Sequence, residues 1–383
     1  MKSKFDYIII SIKAYIISLF KFKINNNKIV VDNFLGKGYG DNLKYIIEEL
    51  HKEDSSLEFV WIVRNRKIEM PSFIRKVKYG TFLSMIEYST AKLWIDNVRN
   101  NIKPPKKSEQ IYLQTWHGPF SSKKIEKLAE KSLTKEYIKL AKKDGNQTNG
   151  ILSNSKLQDE QYKKYFWLGK NSQILKYGFP RNDYLINNKN NNQLIDEIKR
   201  KLNLDNESML VLYAPTFRDD FDVECYKLDF RKIQKAFSNK YNKVCKILVR
   251  LHPNVQKYSN VIQYDNYIID VTKYPNMQDL SLICDAIISD YSSTLFDFAI
   301  QDKPAFICDL DLEKYEETRG LVNEYYKYPF PFSYNCEELI NNINLFSYEN
   351  YKENLHFFFK ENPLYDKGDS TYKIVKWILK KIK

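Results

Sequence analysis

The stretch at 289–299, SDYSSTLFDFA, combines residue types that suit the binding of a phosphate group. Its hydroxyl residues Ser292, Ser293 and Thr294 follow an apolar run at 286–288 and precede a helical pattern of apolar residues. A helix that begins at the end of a strand presents unpaired backbone N–H groups and a positive dipole end, and both favour an anion. The stretch therefore predicts a phosphate site, and an ordinary helix cap is the alternative interpretation.

Two histidines also follow apolar runs directly. His117 lies in the sequence TWHGP, which follows the run at 111–114. His252 directly follows the run at 247–251. Ligands bind at the carboxyl ends of the strands in open parallel sheets. A constrained turn around His117 favours a functional histidine, and a ring that bonds a local carbonyl is the alternative. Arg250 lies two residues before His252, so both side chains are expected on one face of a strand.

Two turns supply further candidate contacts. Arg181 lies in GFPRND at 178–183, where a guanidinium group suits a phosphate. The loop GKGYGDN at 36–42 contains Gly38, Gly40 and Asp41, and its glycines let the backbone approach a ligand or a neighbouring domain closely. Its spacing differs from the dinucleotide-binding fingerprint, so the loop alone is weak evidence.

Short apolar runs that alternate with helical patterns must position these residues. Such alternation predicts parallel sheets in an α/β architecture, and 383 residues suffice for two domains. An asparagine-rich stretch at 187–192 is typical of a surface loop, so we expect a domain boundary near 185. The predicted domains are 29–185 and 186–383. The second includes an amphipathic basic helix at 370–383, which alternatively packs on the first half or adds to a membrane face.

The amino-acid composition of the chain limits the kinds of molecule that it is expected to bind. The chain has 61 Lys and Arg against 48 Asp and Glu, a net charge of +13, which attracts polyanions of any kind. Its basic residues are spread along the chain without a nucleic-acid-binding motif, so we predict no nucleic-acid partner. Five separate cysteines and no evident secretory signal predict reduced thiols in a cytoplasmic protein. Four scattered histidines give no local metal motif.

The N-terminal residues 1–28 are apolar, aromatic and basic. Their longest apolar run is shorter than the 20 or so residues that a transmembrane helix needs. Six lysines against one aspartate give this segment a net charge of +5. Apolar bulk flanked by lysines is typical of a helix in an anionic membrane interface, so we predict a membrane-associating segment. A helix packed on the protein's own core is the alternative.

Seven motifs in the same order make the chain resemble the CDP-glycerol glycerophosphotransferase family, which includes the teichoic acid primases and polymerases. The resemblance covers most of residues 28–335. The motifs are KGYGDN at 37–42, TWHGP at 115–119, GFPRND at 178–183, YAPTFR at 213–218, RLHP at 250–253, SDYSS at 289–293 and ETRG at 317–320.

The resemblance implies a GT-B fold, in which two Rossmann-like domains face each other across a cleft. The first would bind the acceptor and the second the nucleotide donor. It implies a donor that is a CDP-activated polyol, such as CDP-glycerol or CDP-ribitol, and an acceptor hydroxyl on a lipid-linked glycan or a teichoic-acid-like or capsule-like polymer. It also implies peripheral attachment to the cytoplasmic face of a bacterial membrane, and no metal or other cofactor.

The resemblance also implies roles for the candidate residues. His117 would be the general base for the acceptor hydroxyl, because imidazole is near its ideal protonation balance at neutral pH. His252 would act with cationic and hydroxyl groups on the diphosphate and the departing CMP, while the loop of Gly38, Gly40 and Asp41 would line the cleft. The donor-binding groups would be Arg181, Arg218, Arg250, Ser292, Ser293, Thr294 and Arg319.

Three observations leave alternatives open. The sequence YPFPF at 328–332 stands where the polymerases carry a Gly-Pro-Gly-Pro-Ile-like run, so priming, polymerisation and capsule decoration remain distinct possibilities. His-Pro and Ser-Ser motifs on a GT-B scaffold also resemble bacterial sialyltransferases, which use CMP-sugars. The positive charge also fits a non-catalytic nucleic-acid-binding or polymer-tethering protein.

Overall fold

A computed structural model of the protein describes residues 4–99, 102–118, 122–218, 223–252, 255 and 261–383. The chain divides into two units. The first comprises residues 1–117, 125–183 and 364–383, and the second comprises 118–124 and 184–363. Each unit is built around one parallel sheet.

The first unit contains a seven-stranded sheet in the order β3-β2-β1-β4-β5-β6-β7. Alternate residues of its central strands enter two apolar clusters, so helices bury both faces and the strands read as continuous apolar runs. The elements are α1 (Lys4–Ser18), β1 (Asn25–Asp32), α2 (Asp41–Glu53), β2 (Glu58–Val63), β3 (Ile74–Lys78), α3 (Phe82–Thr90), β4 (Ala91–Asp96), β5 (Ile111–Gln114), α4 (Lys135–Gln147), β6 (Gly150–Leu152), α5 (Lys156–Tyr165), β7 (Gln173–Leu175) and α6 (Pro180–Asn188).

The second unit contains a six-stranded sheet in the order β10-β9-β8-β11-β12-β13. Helices α8 and α12 pack on its main apolar cluster. The elements are α7 (Asn192–Lys201), β8 (Met209–Tyr213), α8 (Phe230–Tyr241), β9 (Cys245–Val249), β10 (Ile268–Asp270), α9 (Met277–Ile283), β11 (Ala286–Ser289), α10 (Thr294–Ala299), β12 (Ala305–Cys308), α11 (Leu312–Arg319), β13 (Phe332–Ser333), α12 (Cys336–Leu345) and α13 (Tyr348–Glu361). A last helix, α14 (Ser370–Ile382), returns to the first unit.

In each sheet, successive strands are added first on one side and then on the other, so the strand order has one switch point. The switch points determine where the motifs lie. The first sheet runs outward in both directions from β1 and β4, and the second from β8 and β11. Ligands bind at such switch points, beyond the carboxyl ends of the strands. The loops that leave these four strands begin at residues 33, 97, 214 and 290. Two of the predicted motifs, YAPTFR and SDYSS, therefore flank the switch point of the second sheet.

The predicted α/β architecture is confirmed, and all sheet pairings in the described residues are parallel. Strands β3, β7 and β13 were missed because they are short or carry charged residues, as in IRKVK of β3. All five cysteines are free, as predicted.

The prediction that Arg250 and His252 lie on a strand is wrong. Strand β9 ends at Val249, and both residues lie in the loop that follows. The strand alternation therefore does not fix their directions. Leu251 is held instead by its backbone N–H, which donates to Thr272 Oγ1 at 3.0 Å.

The C-terminal helix belongs with the first unit, which corrects its assignment to domain 186–383. Ile374, Val375 and Ile378 are buried in the apolar cluster on one face of the first sheet. Asp183 accepts hydrogen bonds from the backbone N–H groups of Ser370 and Thr371, at 3.1 and 2.6 Å. The amphipathic pattern of α14 was evident in the sequence, but such a pattern does not specify which sheet the apolar face will cover.

The N-terminal segment is only partly helical. Helix α1 ends at Ser18, and residues 25–28 already belong to β1, so the predicted segment 1–28 is not one element. Ile10, Ala14 and Ile17 pack on α3, which agrees with the alternative of a helix on the protein's own core. The opposite face of α1 is exposed, with Tyr15 at 66%. Within the described residues, no helix has the length and hydropathy needed to cross a bilayer.

The docking of the C-terminal segment depends on a titratable carboxyl group. Asp366 Oδ1 accepts from the backbone N–H of Phe179 at 2.7 Å, and Oδ2 accepts from Asn154 Nδ2 at 2.9 Å. Burial raises the pKa of Asp366 to about 7, despite these hydrogen bonds, which act in the opposite direction. Between about pH 4 and about pH 7, Asp366 therefore carries a proton in the folded state. In the unfolded chain, where its pKa is about 3.9, it has lost that proton.

We expect the free energy of unfolding to fall as pH rises from about 4 to about 7, by at most about 1.4 kcal/mol per pH unit from this group. Asp366→Asn removes this contribution. The variant is tolerable because Asn154 Oδ1, which is buried and has no hydrogen-bond partner in the part of the chain that the structure describes, can accept after an amide flip. Urea unfolding midpoints at pH 4.5 and 7.5 measure the difference between the two proteins. An identical pH dependence in both would contradict the assignment.

Candidate active site

The ring of His117 is held in one orientation by the loop after β4. Its Nδ1 lies 2.7 Å from the backbone carbonyl oxygen of Asn97. Since a carbonyl oxygen only accepts, Nδ1 carries a proton, and in the neutral ring Nε2 then carries the lone pair. The edge of the Phe34 ring packs on the imidazole at a centroid distance of 5.4 Å. The ring is therefore oriented with Nε2 as its proton-accepting atom.

Asn97 is the residue that sequence analysis missed. Its Nδ2 donates to Asn33 Oδ1 at 2.7 Å, and its Oδ1 accepts from the backbone N–H of Phe34 at 2.8 Å. These bonds join the loops that leave β1 and β4, the two strands at the switch point of the first sheet. Phe34 and Leu35 adopt positive φ angles of 46° and 59°, an uncommon conformation for such residues that surrounding contacts must maintain. The available signal was an Asp-Asn pair directly after an apolar strand.

Arg181 contacts the same histidine from the other side of the turn. Its Nη1 donates to the backbone carbonyl of His117 at 3.0 Å and lies 3.7 Å from Asp41 Oδ2. Its backbone N–H donates to Asn42 Oδ1 at 3.2 Å, while Asn42 Nδ2 donates to the carbonyl of Trp116 at 3.3 Å. In the structure Arg181 thus supports the histidine turn, and its phosphate-binding role stays a prediction.

The glycine loop contributes Asp41 and an open backbone. Gly38 has a positive φ of 82°, and apart from its chain neighbours no described residue has an atom within 4 Å of the position that a Cβ would occupy on Gly38 or Gly40. Asp41, with a φ of 54°, accepts the backbone N–H of Asn42 through Oδ1 at 2.6 Å. The loop therefore leaves backbone accessible beside the residues that hold the histidine turn.

A buried ionic network anchors the loop that carries Asn97. Lys103 Nζ donates to Asp96 Oδ2 at 2.6 Å, and Arg99 Nη1 donates to Asp144 Oδ2 at 2.5 Å. Glu126 Oε2 lies 3.2 Å from Arg99 Nε and forms an ion pair with it. Burial lowers the pKa of Lys103, but the attraction of Asp96 and Asp144 outweighs it and leaves the pKa raised. Since breaking such a pair leaves an uncompensated buried charge, the loop has little freedom to move.

In the second unit, three predicted motifs meet around Phe217. The ring of His252 stacks on it at a centroid distance of 4.6 Å, and the guanidinium of Arg319 lies 5.8 Å from its centroid. Phe217 was quoted only as part of a motif, yet it is the residue that brings the imidazole and the guanidinium together. Aromatic rings attract cations through their quadrupole, and this helps to hold the Arg319 guanidinium there.

Arg250 lies beyond β9 and is only partly neutralised. Its Nη1 donates to the carbonyl of Tyr274 at 2.8 Å, and it forms no ion pair with any residue that the structure describes. Burial lowers its pKa to about 10, and the partial influence of Tyr274 and Asp279 does not restore it. A desolvated cation without a bonded carboxylate favours an anionic ligand.

Arg218 is placed differently from the prediction. Its Nε and Nη2 donate to the two carboxylate oxygens of Asp311 at 2.6 and 2.7 Å, and Nη2 lies 3.0 Å from Asp290 Oδ2. The guanidinium also lies over the rings of Tyr291 and Tyr315. Two carboxylates satisfy this charge, so Arg218 connects the loops after β8, β11 and β12 and is not arranged as a free phosphate ligand.

The hydroxyl turn is less regular than expected. Helix α10 has six residues, and its N-cap residue Ser293 makes no side-chain capping bond. Ser292 Oγ instead accepts from the backbone N–H of Thr294 at 3.3 Å and lies 2.9 Å from Thr294 Oγ1. Ser293 Oγ lies 2.6 Å from where a Cβ on Gly118 would be, so only glycine fits there without displacement. A phosphate site at this turn stays a prediction.

The structure thus gathers the predicted residues into two groups. His117, Arg181 and Asp41 lie together in the first unit, and His252, Arg319, Arg250 and the hydroxyl turn belong to the loops of the second. Pro119 and Pro253, which end two of the motifs, lie outside the described residues. No cluster of three or more potential metal-ligating side chains occurs among the residues that were described.

Comparison with known proteins defines the class. The profile of the family described as CDP-Glycerol:Poly(glycerophosphate) glycerophosphotransferase matches residues 13–380. The chain therefore belongs to this family, and its two parallel sheets form a GT-B-like α/β fold. Structures of the wall teichoic acid polymerase TagF align with a TM-score of 0.84 at 28% identity, over 97% of this chain and 94% of theirs.

Two curated relatives of the chain have names that describe different reactions. The teichoic acid poly(glycerol phosphate) polymerase of Staphylococcus epidermidis is 30% identical over 93% of this chain and 51% of its own length. The teichoic acid glycerol-phosphate transferase of Staphylococcus aureus is 31% identical over 83% of each chain. The chain thus spans about half the length of the first relative. A UDP-GlcNAc 2-epimerase from Methanocaldococcus jannaschii, at 11% identity and a TM-score of 0.58, shares the fold alone.

The Asn97 contact makes a prediction that needs no substrate. We expect nitrogen-15 NMR of histidine-labelled protein to show His117 as the Nδ1–H tautomer at neutral pH, because the Asn97 carbonyl accepts from Nδ1. His117→Gln assigns the signal, and His51, which stacks on Phe73, provides an internal reference from the same unit. A dominant Nε2–H tautomer would rule out the proposed orientation of the ring.

Proposed function

We propose that this protein transfers a polyol phosphate from a CDP-activated polyol to a hydroxyl group of a teichoic-acid-like polymer or its lipid-linked glycan precursor. Its membership of the family supports the reaction class. The names of its relatives, which include glycerol-phosphate and ribitol-phosphate primases and polymerases, support the polyol phosphate. One of the TagF structures is of a variant soaked with CDPG, which supports a CDP-linked donor.

The observation that carries the proposal is the orientation of His117. With Nδ1–H bonded to Asn97, the Nε2 atom accepts the proton of the acceptor hydroxyl. The acceptor oxygen then forms a bond to the phosphorus that carries the polyol, and the bond from that phosphorus to the CMP oxygen breaks. The electron pair leaves with CMP, and the proton remains on His117 until it passes to solvent.

The second unit would bind the donor. His252, Arg319 and Arg250 supply positive charge for the diphosphate and for the charge that develops on CMP. The hydroxyls of Ser292, Ser293 and Thr294 are proposed as further phosphate contacts. Because these groups provide cationic and hydrogen-bonding stabilisation themselves, we propose that transfer needs no divalent metal and no other cofactor.

A donor panel tests the reaction. We expect CMP release and product formation with CDP-glycerol or CDP-ribitol, a lipid-linked disaccharide acceptor and EDTA, and none with CMP-sialic acid. His117→Ala and His252→Ala should each lower the rate by about 10²-fold or more, because each removes a group that acts in the transition state. Mass spectrometry of the acceptor identifies the added group.

The other outcomes separate the alternatives. Turnover of CMP-sialic acid alone would indicate the sialyltransferase reading. Full dependence on added magnesium would contradict the metal-free part of the proposal. No CMP release from any donor, together with tight binding of a polyanion, would favour a tethering protein.

We further propose that the protein attaches peripherally to the cytoplasmic face of a bacterial membrane through helix α1. Its packed face leaves an exposed apolar surface on the other side, extended by Phe82 and Leu83 at the start of α3. This α1 surface consists of Ile8, Ile12, Tyr15, Leu19, Phe20, Phe82 and Leu83. Exposed apolar area of this kind, with Lys21 and Lys23 exposed next to it, suits an anionic lipid surface.

Substitution of the α1 surface tests the attachment. The triple variant Ile12→Gln, Leu19→Gln and Phe20→Gln should lose at least about tenfold in its partition onto phosphatidylserine-containing vesicles, since each buried apolar side chain contributes about 1.5–3 kcal/mol. Sedimentation with vesicles measures the partition.

The matched control is Leu345→Gln with Phe357→Gln, which removes exposed apolar residues of the second unit. This control should partition like the unaltered protein. Equal binding of the triple variant would show that α1 is not the attachment surface.

A further inference from the structure

A short segment directly after His117 belongs to the second unit. Residues 122–124 lie antiparallel to residues 320–322, with Lys123 bridged to Leu321. Lys124 N–H donates to the carbonyl of Gly320 at 3.0 Å, and Val322 N–H donates to the carbonyl of Ser122 at 3.0 Å. The segment is thus fixed against the chain that directly follows Arg319.

Two successive lysines of this segment have different surroundings. Lys123 is half-buried, and its Nζ lies 5.8 Å from the centroid of the Tyr315 ring. Lys124 is exposed, and its side chain runs over Gly320, with Cδ 2.8 Å and Nζ 3.4 Å from the position a Cβ would occupy there. Alternation along an extended chain explains why the two side chains point to opposite sides.

Gly320 is shaped to receive the lysine. Its φ of 68° favours glycine, and a Cβ at this position would displace the Lys124 side chain. Gly320 also ends helix α11, whose last residue is Arg319. Lys124 therefore lies over Gly320, the residue that directly follows Arg319. Arg319 and His252 both pack on Phe217.

Lys124 carries an exposed positive charge. It forms no ion pair with any residue that the structure describes, although Lys227, Lys232 and other surface lysines do pair with nearby carboxylates. Cations gathered in one place repel each other, and an anion bound among them removes this repulsion. A lysine is a compact point charge with three donors, which suits phosphate oxygens.

We propose that Lys124 is a donor-binding residue that contacts the diphosphate of the CDP-polyol together with Arg319 and His252. This inference rests on the proposed function, because it names a further contact for the same donor. Only the pairing with residues 320–322 distinguishes Lys124 from the neighbouring lysines in the sequence.

Calorimetric titration with CDP-glycerol tests the inference. Lys124→Met should raise the dissociation constant by about tenfold or more, since a charge-assisted contact to phosphate is lost. Lys124→Arg should restore binding to within a few-fold, because the charge is kept. The dissociation constant of the methionine variant should also depend less steeply on salt concentration. Lys124 is exposed, so the thermal unfolding midpoint should not change.

Lys235→Met is the matched control, because Lys235 is an exposed lysine on α8 of the same unit. It should bind CDP-glycerol as the unaltered protein does. Equal affinity of Lys124→Met and the unaltered protein would overturn this inference and leave the proposed function intact. Absence of CDP-glycerol binding by the unaltered protein would overturn both.

Discussion

The hydrogen bond from His117 Nδ1 to the Asn97 carbonyl is the contact on which the first unit's site depends. It needs a fixed carbonyl, and the fold supplies one through two independent restraints. The amide of Asn97 joins the loops after β1 and β4, and the ion pairs of Arg99 and Lys103 anchor the chain that follows. Because these charges are buried, the loop cannot move without separating ion pairs in a region of low dielectric constant.

Three arginines of the second unit differ in how their positive charges are satisfied. Arg218 is bound by Asp311 and Asp290 and contributes to the structure of three loops. Arg250 bonds only a carbonyl group, and Arg319 lies over an aromatic ring. The sequence motifs make all three look equivalent. The difference arises from carboxylates that are distant in the chain, such as Asp311, which lies 93 residues from Arg218.

The sequence predicted much of the fold correctly because both sheets are parallel and buried on both faces. Runs such as IYLQ and MLVLY coincide with β5 and β8, since a buried parallel strand needs apolar residues at every position. It failed at IRKVK of β3, where charged residues interrupt the run, and at Arg250 and His252, where an apolar pattern continued past the end of β9. The hydropathy of a sequence does not show at which residue the hydrogen-bonded pairing of a strand ends.

The sequence by itself determined the family of the protein and its α/β architecture, because strand periodicity and motif order are local properties of the chain. Tertiary structure decided the protonated nitrogen of His117, the neutralisation of Arg218, the unit to which α14 belongs and the distinct position of Lys124. Each of these depends on a partner from another part of the chain, such as Asn97, Asp311, Asp183 or Gly320. Only folding brings such partners within hydrogen-bonding or packing distance.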